Sequence, residues 1–265
     1  MRLTWLTDIH LNFLQGHAIY EFFDAVGRER PDAVVVSGDI GEAQTFSIYL
    51  QEMQEALQCP VHFVLGNHDF YRGSLATVTE RAAVTVRHAP GLSWLTRAGV
   101  VELTPRTALV GHDGWYDGRA GDYQRSGVML NDFYLIWDFL DLDKQGRLGL
   151  LNRLGDESAS HFLRVLPEAL RSHEEVILAT HVPPFREACW HEGHVSGEDW
   201  LPFMCCQAAG EVLCRIMGEH PDRRLTVLCG HTHGQGEAMI LPNLKVLTGG
   251  AAYRSPAVQR VIELA

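Results

Sequence analysis

The chain has 265 residues, 46% of them hydrophobic and 21% charged, with a formal net charge of −11. That length buries one large α/β core, or two small ones, without disulfide or metal staples. The acidic balance, with a pI near 5.6, excludes a broad cationic face for nucleic acid or for an anionic membrane surface, so a phosphate-bearing ligand has to be held locally.

Short β-rich runs alternate with helical periodicity through the first third, the pattern of an α/β fold. Leu3 to Thr7 reads as a strand running into Asp8. Ala18 to Arg28 reads as a helix with Ile19, Phe22, Phe23 and Val26 on one face. Pro31 and Asp32 break the chain before a strand over Ala33 to Ser37, buried on both faces and followed by Gly38 and Asp39. A second helix, over Thr45 to Leu57, carries Phe46, Leu50, Met53 and Leu57 at helical spacing. Val61 to Leu65 is the third strand and leads into Gly66, Asn67, His68 and Asp69.

Later strands are expected at Val100 to Leu103, Ala108 to Gly111, Val176 to Thr180, Leu225 to Cys229, Lys245 to Thr248 and Val258 to Leu264. Hairpin-like spacing around Pro105 and the pair of C-terminal strands predict antiparallel pairing, hence mixed sheets. From Gly114 to about residue 170 the pattern changes to glycine, charge and aromatics (WYDGRAGDY) and then a polar-apolar helical stretch. With no Pro/Ser-rich linker at its borders, this stretch reads as an insertion capping the site within a single domain over 1–265.

The six cysteines (Cys59, Cys189, Cys205, Cys206, Cys214 and Cys229) lack CxxC spacing and read as free thiols in a reducing compartment. No apolar run reaches the roughly 20 residues of a membrane helix. The first apolar segment runs straight into Asp8, so signal cleavage there would remove it. The expectation is a soluble cytoplasmic protein.

Five apolar runs end on residues that bind metals: Asp8, Asp39, Asn67, His181 and His231. Asp8 and His10 stand two apart, a spacing that in an extended chain puts both side chains on one face. Asp39 follows a glycine, which allows a tight turn beside a ligand, and its two oxygens suit a bridge between cations. Asn67 offers an amide oxygen, while His68 points elsewhere and is free to act on substrate. His231 and His233 repeat the two-residue spacing in GHTH. A strand-end histidine or Asx turn taken singly is more often structural. Demanding DxH, GD, GNHD, H and GHTH in order, each after an apolar run, fixes about ten positions and leaves chance little room.

With that motif order the chain resembles the calcineurin-like metallophosphoesterases over nearly its full length, apart from about 114–170. The resemblance implies a four-layer sandwich of two mixed β-sheets flanked by helices, with the site at the carboxyl ends of the strands. It implies that Asp8, His10 and His233 hold one metal, that Asn67, His181 and His231 hold the other, and that Asp39 bridges them. His68 corresponds to a histidine that contacts the phosphate and protonates the departing oxygen, with Asp69 orienting its surroundings. Two cations about 3.5–4 Å apart would carry a bridging hydroxide for in-line attack. Ligands of this kind suit Mn, Fe or Zn.

Where many relatives have a second Asp to polarise the histidine, this chain has Glu42, which is expected to take that role. The DRG extension of the protein phosphatase branch is absent. Tyr71 and Arg72, just past GNHD, are candidate substrate contacts, Arg72 through its planar fork, and His112 is a candidate at the pocket rim. His191 and His194 read as rim residues. The function expected is hydrolysis of a small phosphodiester, cyclic nucleotides included. A phosphomonoesterase, a nuclease and a metal-binding scaffold without catalysis are the alternatives.

Overall fold

A computed structural model describes residues 1–265. The first half alternates β1 (Arg2–Leu6), α1 (His17–Arg28), β2 (Ala33–Ser37), α2 (Phe46–Leu57), β3 (Val61–Val64), α3 (Leu75–His88) and β4 (Leu92–Trp94). These strands form a parallel sheet in the order β1-β2-β3-β4. A one-turn helix, α4 (Leu95–Ala98), then crosses to β5 (Val101–Thr104) and β6 (Thr107–Gly111), which pair antiparallel as the spacing around Pro105 predicts.

A long irregular stretch follows, holding the short α5 (Asp132–Leu135) and a 3-10 turn (Trp137–Phe139), before α6 (Lys144–Ser172) and β7 (Glu175–Ala179). A small hairpin, β8 (Trp190–His191) with β9 (His194–Val195), precedes α7 (Gln207–Glu219) and β10 (Arg224–Cys229). The chain ends with β11 (Gly236–Leu241), β12 (Leu244–Thr248) and β13 (Arg260–Glu263). The second sheet runs β11-β12-β10-β7-β6-β5, parallel across its four middle strands and antiparallel at both edges.

The period-two alternation of strands builds the layers. Leu3, Trp5, Ala33, Val35 and Val64 from the first sheet meet Leu109, Ile177, Ala179, Leu228 and Leu247 from the second in one dry layer. Their neighbours Val34, Val36, Val110, Leu178 and Val227 face outward into the larger core beneath the helices. Because both faces of each sheet are covered, the central strands read as continuous apolar runs. The architecture is the expected four-layer sandwich of two mixed sheets flanked by helices.

Two expectations are corrected. The C-terminal strands do not pair with each other: β12 lies in the second sheet against β11, while β13 crosses to the first sheet and pairs antiparallel with β1. The turn-rich stretch between them is long enough to carry the chain from one sheet to the other. Nor does the expected cap over 114–170 form one unit. Its second half is α6, a 29-residue helix that packs on α7, β6 and β7 as part of the sandwich. No helix is long and apolar enough to cross a membrane.

Leu228, fully buried between the sheets, tests that layer. Leu228→Ala should lower unfolding free energy by about 2–5 kcal/mol, read by chemical denaturation.

Candidate metal centre

Strand order puts the carboxyl ends of β1, β2, β3, β7 and β10 at one edge of the sandwich, and each delivers a polar residue there. Asp8 and His10 follow β1, Asp39 follows β2, Asn67 follows β3, His181 follows β7, and His231 and His233 follow β10. The geometry differs from an extended chain. Asp8, His10, Asp39, His231 and His233 all have positive φ, between 41° and 69°, a region that non-glycine residues enter at a cost. The side chains therefore converge through tight left-handed turns, not through strand alternation. At Gly38 (φ +96°) a Cβ would lie 2.5 Å from His181 Nδ1, and at Gly66 it would collide with Asp39 Oδ1. These two glycines let the turns close on each other.

Two groups of donor atoms result. In the first, Asp8, His10, Asp39 and His233 each bring one ligand atom, all within 4.8 Å of one another. His10 Nε2 lies 3.2 Å from His233 Nε2 and 3.7 Å from Asp39 Oδ2, and His233 Nε2 lies 3.4 Å from Asp8 Oδ1. In the second group, Asn67 Oδ1 is 3.0 Å from both His181 Nε2 and His231 Nδ1, and His181 Nε2 is 3.3 Å from Asp39 Oδ1. Asp39 belongs to both groups, one oxygen to each.

The outer hydrogen bonds fix what these atoms can be. His181 Nδ1 donates to the Ser37 carbonyl at 2.9 Å and His231 Nε2 donates to the Phe203 carbonyl at 2.8 Å. A carbonyl only accepts, so in the neutral rings the inward nitrogens carry lone pairs. Asn67 Nδ2 donates to Asp132 Oδ1 at 2.9 Å, which turns its oxygen inward. Lone pairs of nitrogen, amide and carboxylate thus face one another at about hydrogen-bond distance, an arrangement that repels unless positive charge sits among them. A donor set of carboxylate, imidazole and amide without thiolate fits hard to borderline divalent cations.

The proton affinities carry the same demand for positive charge. Burial opposes protonation of His181, but Asp39 and Asp8 overcome it and lift the imidazole to about 10. Burial raises and His181 and His68 lower the Asp39 carboxyl, leaving it well below the carboxylate range. Burial pushes His10 and His231 down to about 4, so both are neutral ligand-ready bases near neutrality.

His68 reaches 4.0 Å from Asp39 Oδ2, stacks on Tyr71 at 4.2 Å between ring centroids and faces the cavity. Asp69 stays out of both donor groups. Its oxygens accept from the backbone N–H groups of Ile40, Gly41 and Gly66, tying the turn after β2 to the turn after β3. Burial, with the Asp39 charge, pushes its carboxyl up to about 8.

Three candidates fall elsewhere. Glu42 pairs with Arg72, not with His68, because both lie on the exposed side of the loops after β2 and β3. Arg72 accordingly is committed to Glu42 and does not line the cavity. His112 points away from the site toward α6, where its ring sits 4.9 Å from that of His161. The next residue, Asp113, is the one tied to the site's scaffold: its side chain accepts from Leu65 N and Trp94 Nε1, and its carbonyl accepts from His181 N.

Several contributors carry no signal of their own in the sequence. Asp132, buried, accepts from Asn67, Tyr71 and Tyr116. Tyr253 packs its ring 4.7 Å from His10 and 5.2 Å from His233. A cavity of about 530 Å³ opens above the donor groups, walled by Leu130, Asn131 and Asp132 on one side and by Glu192, Trp200 and Met204 on the other.

A family model described as calcineurin-like phosphoesterase matches residues 1–235. The chain belongs to the calcineurin-like phosphoesterase family. The family together with the Asp/His cluster points to a dinuclear centre for divalent ions. The glycerophosphodiester phosphodiesterase GpdQ of Enterobacter lignolyticus is 37% identical over 84 residues, covering 26% of this chain and 30% of that protein, so the match spans less than a third of the relative. The phosphopantetheinyl hydrolase PptH of Mycobacterium tuberculosis has a similar structure, with a TM-score of 0.68, 14% identity and 98% and 95% of the two chains covered. A dimetal phosphatase of Danio rerio follows at a TM-score of 0.60, 14% identity and coverage of 97% and 89%. At such identities the two structures speak for the fold alone.

The buried pair on the far side of β6 gives a pH prediction. Burial pushes His112 down to about 3 and His161 to about 4, with Arg164 adding to both. The unfolded chain therefore binds more protons than the folded one below about pH 6.5, and stability, complete above that value, falls as pH drops toward 4. The slope is about 1.4 kcal/mol per pH unit for each such group. His112→Gln should flatten this slope in urea titrations between pH 6.5 and 4.

Proposed function

We propose that this chain hydrolyses a small phosphodiester, with Asp8, His10 and His233 holding one divalent ion, Asn67, His181 and His231 holding a second, and Asp39 shared between them. Mn, Fe and Zn all suit this set of nitrogen and oxygen donors. When bound, such ions act as Lewis acids, polarising phosphoryl oxygens and lowering the pKa of water to within reach of neutral pH.

The protein's own residues divide the remaining work. His10 and His231, kept neutral by burial, present lone pairs at physiological pH. The Ser37 and Phe203 carbonyls hold the His181 and His231 rings in the required tautomer. His68 leans over Asp39 from the cavity side, and its ring is fixed by stacking on Tyr71 and by an edge contact with His10 at 4.6 Å. From there its imidazolium donates a proton to the departing ester oxygen. Glu42 is removed from this scheme by its pairing with Arg72. Tyr71 serves by stacking and by its bond to Asp132.

The observation that carries the preference for a diester is the charge of the cavity wall. No lysine or arginine lines it, whereas Asp132 and Glu192 do. A diester brings one negative charge and a second ester arm, for which Trp200, Met204 and Leu130 offer apolar surface. A monoester dianion would bring a second charge with no guanidinium or ammonium to meet it. The GpdQ relative, a phosphodiesterase by name, supports the same choice. The net charge of −11 and the absence of a cationic wall disfavour a nuclease. Retention of every donor together with His68 disfavours a scaffold without catalysis.

With Mn²⁺ supplied, bis-p-nitrophenyl phosphate should turn over faster than p-nitrophenyl phosphate. Faster monoester hydrolysis would reverse the substrate assignment. His68→Ala should lower kcat by about 10²–10⁴-fold while metal content by elemental analysis stays that of the wild type. Unchanged kcat would remove His68 from the mechanism.

A further inference from the structure

We infer that Asp132 is a positioning residue that decides which end of the Asn67 amide faces the second ion, an inference that rests on the ligand assignment proposed above. An amide is nearly symmetric in shape but opposite in polarity at its two ends. Only Oδ1 can ligate a cation, and a flip about the last torsion would aim an NH₂ group at it instead. His181 and His231, the other donors of this group, are oriented by backbone carbonyls, but the far side of Asn67 meets a side chain. Asp132 Oδ1 lies 2.9 Å from Asn67 Nδ2. An ionised carboxylate only accepts, so it admits the donor end of the amide and rejects the oxygen end.

The carboxylate is itself held. Tyr71 Oη donates to Asp132 Oδ1 and Tyr116 Oη donates to Oδ2, each at 2.7 Å, so both oxygens are engaged by donors and neither can rotate away. The backbone around it is laced to the stretch that follows Asn67. Arg72 N donates to the Leu135 carbonyl at 2.8 Å, Trp137 N to the Gly73 carbonyl at 3.0 Å, and Leu75 N to the Asp138 side chain at 2.7 Å. Phe133, Ile136 and Phe139 anchor the same stretch in the core. Asp132 and Asn67 are therefore tied together by side-chain and backbone bonds, although 65 residues separate them in sequence.

Manganese titration of the metal-stripped protein tests this directly, with the two dissociation constants as readout and the melting temperature as a check on folding. The wild type should take two ions, and Asn67→Ala should weaken the second. Asp132→Asn keeps the shape but can face either end of the amide, so it should weaken the second ion by about 10- to 100-fold and leave the first unchanged. Added to Asn67→Ala, it should change the second ion by less than about twofold, because a residue acting through Asn67 has nothing left to act on. Where Asp132→Asn does not fold, Tyr116→Phe, which frees one Asp132 oxygen, should weaken the second ion in the same direction.

Second-ion affinity unchanged in Asp132→Asn, or unchanged in Tyr116→Phe, or an Asp132→Asn loss that persists in full on Asn67→Ala, would overturn the inference. If Asn67→Ala itself binds both ions as the wild type does, the ligand assignment fails and not merely the role of Asp132.

Discussion

The constraint on which the structure turns is the mutual repulsion of lone pairs at one edge of the sandwich. With the outer ring nitrogens donating to carbonyls, Asn67 Oδ1, His181 Nε2, His231 Nδ1 and an Asp39 oxygen share a space where no hydrogen stands between them when the rings are neutral. A fold that brings such groups together has spent stability to do so, and five of the converging residues also sit in the left-handed backbone region. The four-layer core offsets that cost. The dry layer between the sheets and the larger apolar core beneath the helices hold the strands in place while their ends turn polar groups toward one another.

Electrostatics then sorts the groups. Asp39, with three imidazoles against it, stays anionic, and His181, with two carboxylates against it, has its proton affinity raised. His10 and His231 are kept neutral by burial and present lone pairs. The cavity above adds carboxylates and no ammonium or guanidinium. Positive charge at this edge is thus concentrated at the donor groups. An acidic protein can thus attract an anion at this edge although its net charge of −11 opposes polyanions as a class.

The donor residues were legible in the sequence because each lies just past the end of a buried parallel strand, and such strands announce themselves as short apolar runs. The layered fold was legible for the same reason. What the sequence hid depends on contacts between distant segments. Glu42 and Arg72 stand next to site residues in the chain, yet their loops turn them outward to meet each other. His112 ends a strand as the donors do, but it faces α6, while the Asp113 carbonyl bonds His181 N. Asp132 sits in a stretch without periodicity, and its position is set by backbone bonds to residues near 72–75. The paired strands of the C-terminus look local and lie in different sheets, since a turn-rich connection leaves pairing undecided.

The two donor groups differ in what orients them. Asp8 takes its bearings within the sandwich, from Thr7 Oγ1 and from the backbone N–H of His231, and Asp39 accepts from His68 N. Asn67 and His231 in the second group are oriented from the cavity walls instead, by Asp132 on one side and by the Phe203 carbonyl on the other. Leu130, Asn131 and Met204, neighbours of those two anchors, line the space where substrate would sit. A change that reshapes either wall for a different ester therefore also acts on the second donor group, while the first meets the cavity through His233 and the Tyr253 ring packed on it. The wall residues are free to vary in side chain only so far as the Asp132 carboxylate and the Phe203 carbonyl keep their places.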